Sequence, residues 1–128
     1  MRGFLKRAVA GDTIVTHRYS NGSPFLDIVR LEDWLAACWA VLQDNLFGIY
    51  QCSGGERIST ERIAQIIIDT VRSDSKLEQI EVSGQAAAIT FSSQKLHSAT
   101  AWGPQIPPER GVAMYATQAG EQLLSNGG

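Results

Sequence analysis

The stretch GIYQCSGGERIST, residues 48–60, places a serine, two glycines and a charged pair between an apolar run and a Ser-Thr pair. Backbone N–H groups of a glycine-rich loop can hold a phosphate, and a helix N-terminus behind the loop adds positive potential. The same residue types also form an ordinary turn from a strand into a helix, because glycine adopts positive φ at little steric cost. The residues alone leave both interpretations open.

Motifs for catalysis and cofactor binding are missing from the sequence. It contains no G-x-G-x-x-G, G-x-x-G-x-x-G or G-x-x-x-x-G-K-[ST], so neither a dinucleotide-binding nor a P-loop fingerprint is present. Ser53 is not part of a G-x-S-x-G elbow because position 51 is a glutamine, and no tyrosine has a lysine four residues later. We therefore predict no catalytic and no cofactor-binding residues in this chain.

The histidines and cysteines do not form a recognisable site. His17 and His97 have no Cys, His or carboxylate at metal-ligand spacing, so we expect surface or structural histidines and no metal site. Cys38 and Cys52 fit neither a C-x-x-C nor a zinc pattern. At apolar positions, they are expected to be reduced core residues.

The composition is typical of a single globular domain, with 128 residues of which 44% are hydrophobic and 19% charged. The 11 basic and 13 acidic residues include no long run of like charge, which argues against a nucleic-acid groove or a membrane-surface patch. No apolar segment is long enough to span a membrane, and the start MRGFLKRAVAGDT lacks the apolar region of a signal peptide. We expect a cytoplasmic protein.

Hydrophobic periodicity predicts helices and short strands along the whole chain. Helices are expected at 2–9, at 31–44, after a cap at Ser59 or Thr60, at 93–100, and from Pro108 to Leu124. The helix that begins at Ser59 or Thr60 has a buried stripe of Ile63, Ile66, Ile67 and Val71. Strands are expected at 13–16, 25–29, 48–52 and 77–82, with a further candidate at 87–91. The pattern predicts one α/β (α+β) domain over 1–128, with a small mixed sheet and a frayed tail at 125–128.

Helix 31–44 has a wide apolar face. Its stripe consists of Leu31, Leu35, Cys38 and Leu42, flanked by Trp34 and Val41 on one side and by Trp39 on the other. At about 100° per residue this arc spans roughly 160°, which is more than a helix with one neighbour usually needs. We expect this helix to pack against two surfaces.

Four stretches, in order along the chain, resemble the C-terminal half of the extended short-chain dehydrogenases/reductases. These are NAD(P)-dependent sugar-nucleotide epimerases, dehydratases and dTDP-4-dehydrorhamnose-reductase-like enzymes. FLKRAVAGDTI looks like the family's helix and its alanine-glycine-acid lead into a strand, and GSPFLDIVRLEDW resembles G-S-x-x-R-D-F-V-x-V-x-D, with Asp27 and Asp33 at its acidic positions. GIYQCSGGERIST is similar to I-Y-[NH]-[LV]-[GS]-[GS]-G-E-x-[VI]-S. FSSQKLHSATAWGPQIPPERGV resembles L-D-x-S-K-L, a short helix, G-W-x-P and a terminal helix.

The resemblance implies that this chain is the substrate-side half of such an enzyme, without a Rossmann core of its own. A Rossmann-type N-terminal half would be its partner and would carry NAD or NADP and the catalytic Tyr-x-x-x-Lys. The present half would shape the pocket for a nucleotide sugar and would be inactive alone.

The resemblance also bears on two local features. It places the strand Ile49–Cys52 beside the Rossmann sheet, which favours a structural turn over a phosphate cradle at 53–56. One side of helix 31–44 would cover the domain's own sheet and the other would face the Rossmann half. Without that half, we expect self-association through this helix or the edge strand 48–52, because exposed apolar patches tend to become interfaces.

Departures from the family pattern concern its phosphate contacts. Family members commonly have an arginine where this chain has Leu26 and an aspartate where it has Ser92, and the segment 82–91 lacks a second arginine that is often present there. Leucine cannot replace the bidentate contact of a guanidinium with phosphate, so the phosphate site is expected to be unusual or lost. Arg30 could compensate for the arginine missing at position 26, because the two residues are an even number apart and share one face while the strand lasts. Alternatively, Arg30 is a solvated surface arginine. Lys95 matches the motif lysine, and on a short exposed helix it is expected to be solvated.

The positions predicted to face a substrate are Tyr19, Leu26, Arg30, Ser83 and Gln85. Two alternatives to a sugar-nucleotide domain stay open. The first is a non-enzymatic interaction module that keeps the fold without the phosphate anchors. The second is a reductase of carrier-bound acyl groups, which would not need the diphosphate arginines.

Overall fold

A computed structural model describes residues 1–87 and 89–126 of the chain. The elements in these residues are α1 Arg2–Ala10, β1 Ile14–Arg18, β2 Phe25–Asp27, α2 Leu31–Gln43, β3 Arg57–Ser59, α3 Thr60–Thr70, β4 Leu77–Glu81, α4 Gln94–Thr100 and α5 Pro108–Asn126. The expected α/β character is confirmed. Across these residues, no helix is long and apolar enough to cross a membrane.

The strands form two separate two-stranded sheets instead of one mixed sheet. β1 runs parallel to β4, and β2 runs antiparallel to β3, with Leu26 opposite Ile58. The sequence did not predict β3, because three residues that lead directly into a helix are too short to show strand alternation. Its position is set by pairing with β2 and by a hydrogen bond from the Thr60 N–H to the Pro24 carbonyl at 3.0 Å.

The strands expected at 48–52 and 87–91 are wrong for the described residues. Residues 48–52, 87 and 89–91 have irregular backbone with no strand beside them, and Ala88 lies outside the described residues. A strand needs a neighbour whose backbone groups satisfy its own, and an apolar alternation in the sequence cannot supply that neighbour.

Helix boundaries agree with the sequence where a capping residue marks them. Gly11 ends α1 with φ +74°, and the Ser59 hydroxyl accepts a hydrogen bond from the Arg62 N–H at 3.0 Å at the start of α3. These are the usual C-terminal glycine and N-terminal serine caps. Helix α5 extends to Asn126, and 127–128 lie outside the described residues. The frayed tail at 125–128 stays a prediction.

The main hydrophobic core lies among α1, α3, α5 and the adjoining sheet strands. Its largest fully buried side chains are Leu5, Ile14, Ile63, Ile67 and Val112. The predicted stripe of α3 is confirmed, with Val71 partly buried against this core.

A second, smaller cluster joins α2 to α4. Ala37, Leu96 and Trp102 are buried there, and Val41 packs against them. Helix α2 therefore covers α4 and Trp102, and the expectation that it covers a sheet is wrong.

The inward face of α2 also differs from the predicted stripe. The exposed fractions are 64% for Leu31, 52% for Leu35 and 68% for Leu42. The helix turns its alanine-rich side inward, because small side chains allow close contact with α4, and this leaves the large apolar residues outside.

Candidate functional site

The loop 53–56 uses its backbone N–H groups within the fold. The Gly54 N–H donates to Asp27 Oδ1 at 2.7 Å, and the Ser53 N–H donates to Ser93 Oγ at 2.8 Å. A Cβ atom on Gly54 would lie 2.0 Å from the Ile28 carbonyl oxygen, so the glycine is required by the close approach of two backbone segments. These contacts favour the structural turn over the phosphate cradle.

Asp33 holds the segment that precedes α5. Its two carboxylate oxygens accept hydrogen bonds from the N–H groups of Gln105 at 3.1 Å and Ile106 at 3.0 Å, and its carbonyl accepts one from the indole N–H of Trp102 at 3.1 Å. The residue is only 4% exposed. Both acidic residues of the 22–34 motif therefore connect loops that are distant in the sequence.

Lys95 and His97 also have structural contacts. The Lys95 ammonium donates to the Ile49 carbonyl at 2.8 Å and lies 4.4 Å from the centroid of the Tyr50 ring, so the expectation of a merely solvated lysine is wrong. His97 Nδ1 lies 2.9 Å from the Trp102 carbonyl, which confirms a structural histidine. His17 is exposed on β1, as expected for a surface histidine.

Two loops at the ends of β1 and β4 are hydrogen-bonded to each other. The backbone N–H and the hydroxyl of Ser20 donate to the Gly84 carbonyl at 3.1 and 2.7 Å. The side-chain amide of Asn21 donates to the Ala86 carbonyl at 3.0 Å and accepts from the Ala86 N–H at 2.8 Å. These bonds fix the position of residues 19–22 relative to residues 83–86.

The predicted substrate residues fall into two groups. Tyr19, Ser83 and Gln85 belong to the connected loops, where Ser83 and Gln85 are exposed and Tyr19 is half-buried. Leu26, 43% exposed, lies in β2, and Arg30 lies at the start of α2. The structure therefore brings three of the five positions together.

The compensating role expected for Arg30 is not supported. Strand β2 ends at Asp27, so the alternation that would place Arg30 on the same face as Leu26 stops before it reaches Arg30. The Arg30 guanidinium forms an ion pair with Glu32, with Nε 3.0 Å from Oε2, and only 17% of the side chain is exposed. Arg30 is thus ion-paired and largely buried instead of solvated, and its role as a phosphate ligand stays a prediction.

Arg57 was missed in the sequence reasoning. Its guanidinium carbon lies 5.5 Å from the centroid of the Phe25 ring, beside a cleft of about 150 Å³ that Asn21, Ser23 and Ala86 also line. The sequence held no signal for this, because Arg57 reaches the cleft only through the pairing of β3 with β2.

A larger groove of about 380 Å³ runs along α2. It is lined by Trp34, Ala37, Cys38, Val41, Leu42, Gly48, Tyr50, Cys52 and Leu96. Phe47 and Ile49, in the segment after α2, are 91% and 83% exposed. Large exposed apolar surfaces are uncommon on monomeric proteins.

Both cysteines are free, in agreement with the expected reduced state, and both line this groove at intermediate burial. Cys52 packs against the second cluster, but neither cysteine is a fully buried core residue. Burial raises the pKa of the Cys52 thiol, and the nearby Cys38, Asp33 and Asp27 raise it further. Among residues 1–87 and 89–126, no group of three or more His, Cys, Asp or Glu side chains could hold a metal ion.

The fold occurs as part of larger enzymes. The chain superposes on UDP-galactose 4-epimerase with a TM-score of 0.76 and 15% identity, over 93% of this chain and 39% of the epimerase. For dTDP-glucose 4,6-dehydratase from Bacillus anthracis in complex with NAD, the TM-score is 0.75 and the identity 18%, over 92% of this chain and 38% of the dehydratase. RMD from Pseudomonas aeruginosa complexed with NADPH superposes with a TM-score of 0.74 and 16% identity, over 94% of this chain and 41% of RMD. No protein-family model and no curated protein sequence matches the chain.

These similarities confirm the expected fold, which is that of a part of the extended short-chain dehydrogenases/reductases. At such low identity they establish the fold alone. The chain spans about two fifths of the length of the structures it matches.

Proposed function

We propose that this chain is the substrate-side domain of an NAD(P)-dependent sugar-nucleotide epimerase, dehydratase or reductase-like protein. It forms one wall of the sugar-nucleotide pocket and packs against a Rossmann domain that binds the cofactor and performs the hydride transfer. Alone, the chain is catalytically inactive. The observation that carries the proposal is a large exposed apolar surface on a fold that matches about two fifths of NAD- and NADPH-bound enzymes.

The apolar surface has the composition of a permanent interface. We call it the docking face and define it as Trp34, Leu35, Trp39, Leu42, Phe47 and Ile49. Each of these side chains is at least 47% exposed. Burying a large apolar side chain against a partner stabilises the assembly by about 1.5–3 kcal/mol, so this surface provides a strong drive for association.

The segment 48–52 supports the same arrangement. Its sequence has the apolar pattern of a strand, yet in the described part of the chain the backbone N–H groups of residues 49–52 have no backbone acceptor. An edge strand of a neighbouring sheet would satisfy these groups. We infer that this segment pairs with the sheet of the Rossmann domain.

The cofactor does not fit this chain itself. The loop most like a phosphate cradle has the N–H groups of Ser53 and Gly54 already bonded to Ser93 and Asp27. NAD or NADP, when bound, accepts or returns a hydride and would be held by the Rossmann domain. The residues of this chain orient the sugar nucleotide and exclude water from the pocket.

Reconstitution tests the proposal. The reading frames around the coding sequence are searched for a Rossmann half with a G-x-x-G-x-x-G loop and a Tyr-x-x-x-Lys pair, and that half is produced together with this chain. The assembly is expected to bind NAD(P) and to convert a UDP- or dTDP-sugar, whereas the chain alone gives no turnover.

A matched pair of variants makes the test specific. Leu35→Glu with Trp39→Glu on the docking face should abolish the assembly, whereas Arg72→Gln in the exposed turn after α3 should leave it intact. Turnover by the chain alone, or an assembly that ignores nucleotide sugars, would contradict the proposal.

A second candidate is a non-enzymatic interaction module. It is favoured by Leu26, which offers no donor to a phosphate, and by the pairing of Arg30 with Glu32. Such a module would form the complex through the docking face but would bind neither UDP-sugars nor acyl thioesters. Reduction of a carrier-bound acyl thioester by the assembly would instead identify the acyl-reductase alternative.

A further inference from the structure

The two cysteines of the chain line the same groove along α2. Cys38 belongs to α2 and Cys52 to the irregular segment 48–52, and both thiols are free. We propose that Cys38 and Cys52 form a reversible disulfide across this groove, and that the bond prevents a partner from docking there. The disulfide concerns this chain alone, whereas its effect on docking rests on the proposed function.

Three observations place the two thiols near each other. Both residues line one groove of about 380 Å³. Cys52 packs against the cluster that contains Ala37, the residue before Cys38 in α2. A negative charge on Cys38 also raises the pKa of the Cys52 thiol, and like charges have this effect at short range. A disulfide brings the two Cβ atoms to about 3.5–4.5 Å, so the bond requires the groove to close at this point.

The backbone around the pair is fixed at two points and adjustable between them. Ala37 is only 4% exposed, and the Ser53 N–H donates to Ser93 Oγ at 2.8 Å, so the neighbours of both cysteines are held in the fold. The segment 48–52 has no strand partner in the described part of the chain, and nothing lies within 4 Å of a Cβ added to Gly48. The fold therefore keeps the second thiol close and leaves the segment free to adjust to disulfide geometry.

Exchange with a small disulfide, such as glutathione disulfide, supplies the oxidant. The Cys38 thiolate attacks one glutathione sulfur, a mixed disulfide forms, and the first glutathione leaves and takes up the proton that Cys38 released. The Cys52 thiolate then attacks the Cys38 sulfur, the mixed disulfide breaks, and the second glutathione leaves with the proton from Cys52. Two electrons pass from the two cysteines to glutathione disulfide. Cys38 attacks first, because burial raises the pKa of the Cys52 thiol and leaves less of its thiolate.

The bond changes the surface that a partner would meet. The segment 48–52 is the one proposed to pair with the sheet of the Rossmann domain, and a disulfide ties it to α2 instead. A docked Rossmann domain, in turn, covers the groove and shields both thiols from glutathione disulfide. Oxidation and docking therefore oppose each other, and each weakens the other by the same factor.

Oxidation of the isolated chain tests the disulfide. The chain is incubated with glutathione disulfide, remaining thiols are alkylated with iodoacetamide, and the intact mass is measured. The wild type is expected to lose the mass of two hydrogen atoms, to stay a single chain and to take up no alkyl group, and dithiothreitol should restore both thiols. A lasting glutathione adduct, a covalent dimer or two alkylated thiols would overturn the disulfide.

Single serine variants test the order of attack. Cys52→Ser and Cys38→Ser should each retain one glutathione, because neither has a second thiol to release it. Cys52→Ser should gain the adduct faster, since it keeps the thiol that attacks first. Equal rates, or a faster reaction of Cys38→Ser, would overturn this order. The wild-type measurement needs no variant, so a folding defect in either one leaves the test of the disulfide intact.

The effect on docking is measured with the Rossmann half. Oxidation should weaken assembly of the wild type at least about tenfold, and dithiothreitol should restore it. The double variant Cys38→Ser, Cys52→Ser is the control and should assemble equally before and after the same treatment. Equal assembly of the reduced and oxidised wild type would overturn the control of docking while the proposed function stands. Failure of the reduced wild type to assemble would overturn the proposed function and the control of docking, whereas the isolated chain decides separately on the disulfide.

Discussion

Asp27 and Asp33 accept hydrogen bonds from backbone N–H groups of loops that lie far away in the sequence. Irregular segments cannot satisfy their own backbone groups, so side-chain acceptors at fixed positions take the place of a sheet or helix partner. Ser93 has the same function for the N–H of Ser53. At the residue scale, polar side chains of the motif regions therefore hold loops in place.

The first prediction concerns Gly54. Gly54→Ala is expected to lower the free energy of unfolding by about 1–3 kcal/mol, because the new Cβ would overlap the Ile28 carbonyl and force the backbone apart. Urea denaturation measures the loss. Gly3→Ala in α1, where nothing lies within 4 Å of the added Cβ, should be neutral or stabilising by up to about 1 kcal/mol. Equal stability of the two variants would contradict the close approach at Gly54.

The second prediction concerns the Cys52 thiol, whose pKa is raised first by burial and then by Cys38, Asp33 and Asp27. The folded state favours the protonated thiol, so its contribution to stability is present below the unfolded pKa and is lost as the pH rises through the folded pKa. In a Cys38→Ser variant, which removes one of these causes, Cys52 should react with iodoacetamide more slowly than free cysteine at pH 8. A faster reaction than free cysteine would contradict it.

Helix α2 and the segment after it behave differently from the other elements. Helices α1, α3 and α5 contribute Leu5, Ile67 and Val112 to the main core, whereas α2 buries Ala37 and leaves Leu35 and Trp39 more than half exposed. Segment 48–52 has a strand-like sequence but no strand partner among residues 1–87 and 89–126. At the element scale, both features support the proposal that this surface packs against a partner.

The third prediction is self-association of the isolated chain. The docking face should drive formation of dimers or larger species at high concentration, because association removes apolar surface from water. Light scattering coupled to size exclusion measures the mass, and Leu35→Glu with Trp39→Glu should restore the monomer. A monomeric wild-type mass at high concentration would count against this surface as an interface.

The fourth prediction concerns backbone protection. Amides of Ile49, Tyr50, Gln51 and Cys52 should exchange with deuterium rapidly in the isolated chain, whereas those of Ile66 and Ile67 in α3 exchange slowly. Docking on a Rossmann domain should protect the first group. Slow exchange at residues 49–52 in the monomeric Leu35→Glu, Trp39→Glu variant would show that the segment is already paired within the chain and would contradict this prediction.

The whole molecule contains two hydrophobic clusters of unequal size. The larger one is built on α1, α3 and α5, and the smaller one joins α2, α4 and Trp102. Hydrogen bonds from the loops at 53–54 and 105–106 connect the two. Because the second cluster buries fewer side chains, we expect the region that carries the docking face to unfold more easily than the main core.

The fifth prediction compares these clusters. Ile67→Ala should reduce the global free energy of unfolding by about 2–5 kcal/mol, because a fully buried side chain leaves a cavity in the main core. Leu96→Ala, equally buried, should mainly accelerate hydrogen exchange in α2 while α3 keeps most of its protection. Denaturation and exchange together measure both effects, and uniform loss of protection in both variants would indicate a single cooperative unit.

Local signals in the amino-acid sequence determined where most helices begin and end. Gly11 and Ser59 act on the backbone within four residues, and the isoleucines of α3 repeat at the helical period, so nearby residues contain the necessary information. The ordered motifs were likewise sufficient to indicate the fold. The absence of catalytic motifs was visible in the same way, because each of them is a short contiguous pattern.

Only the tertiary structure decided which face of α2 is buried, that β3 pairs with β2, and that 48–52 has no strand partner in the described part of the chain. It also placed Arg57 over Phe25, paired Arg30 with Glu32, and assigned the N–H of Gly54 to Asp27. These outcomes depend on contacts between residues that are far apart in the chain. Packing and strand pairing select among several patterns that look equally favourable locally, and that selection is made when the distant segments meet.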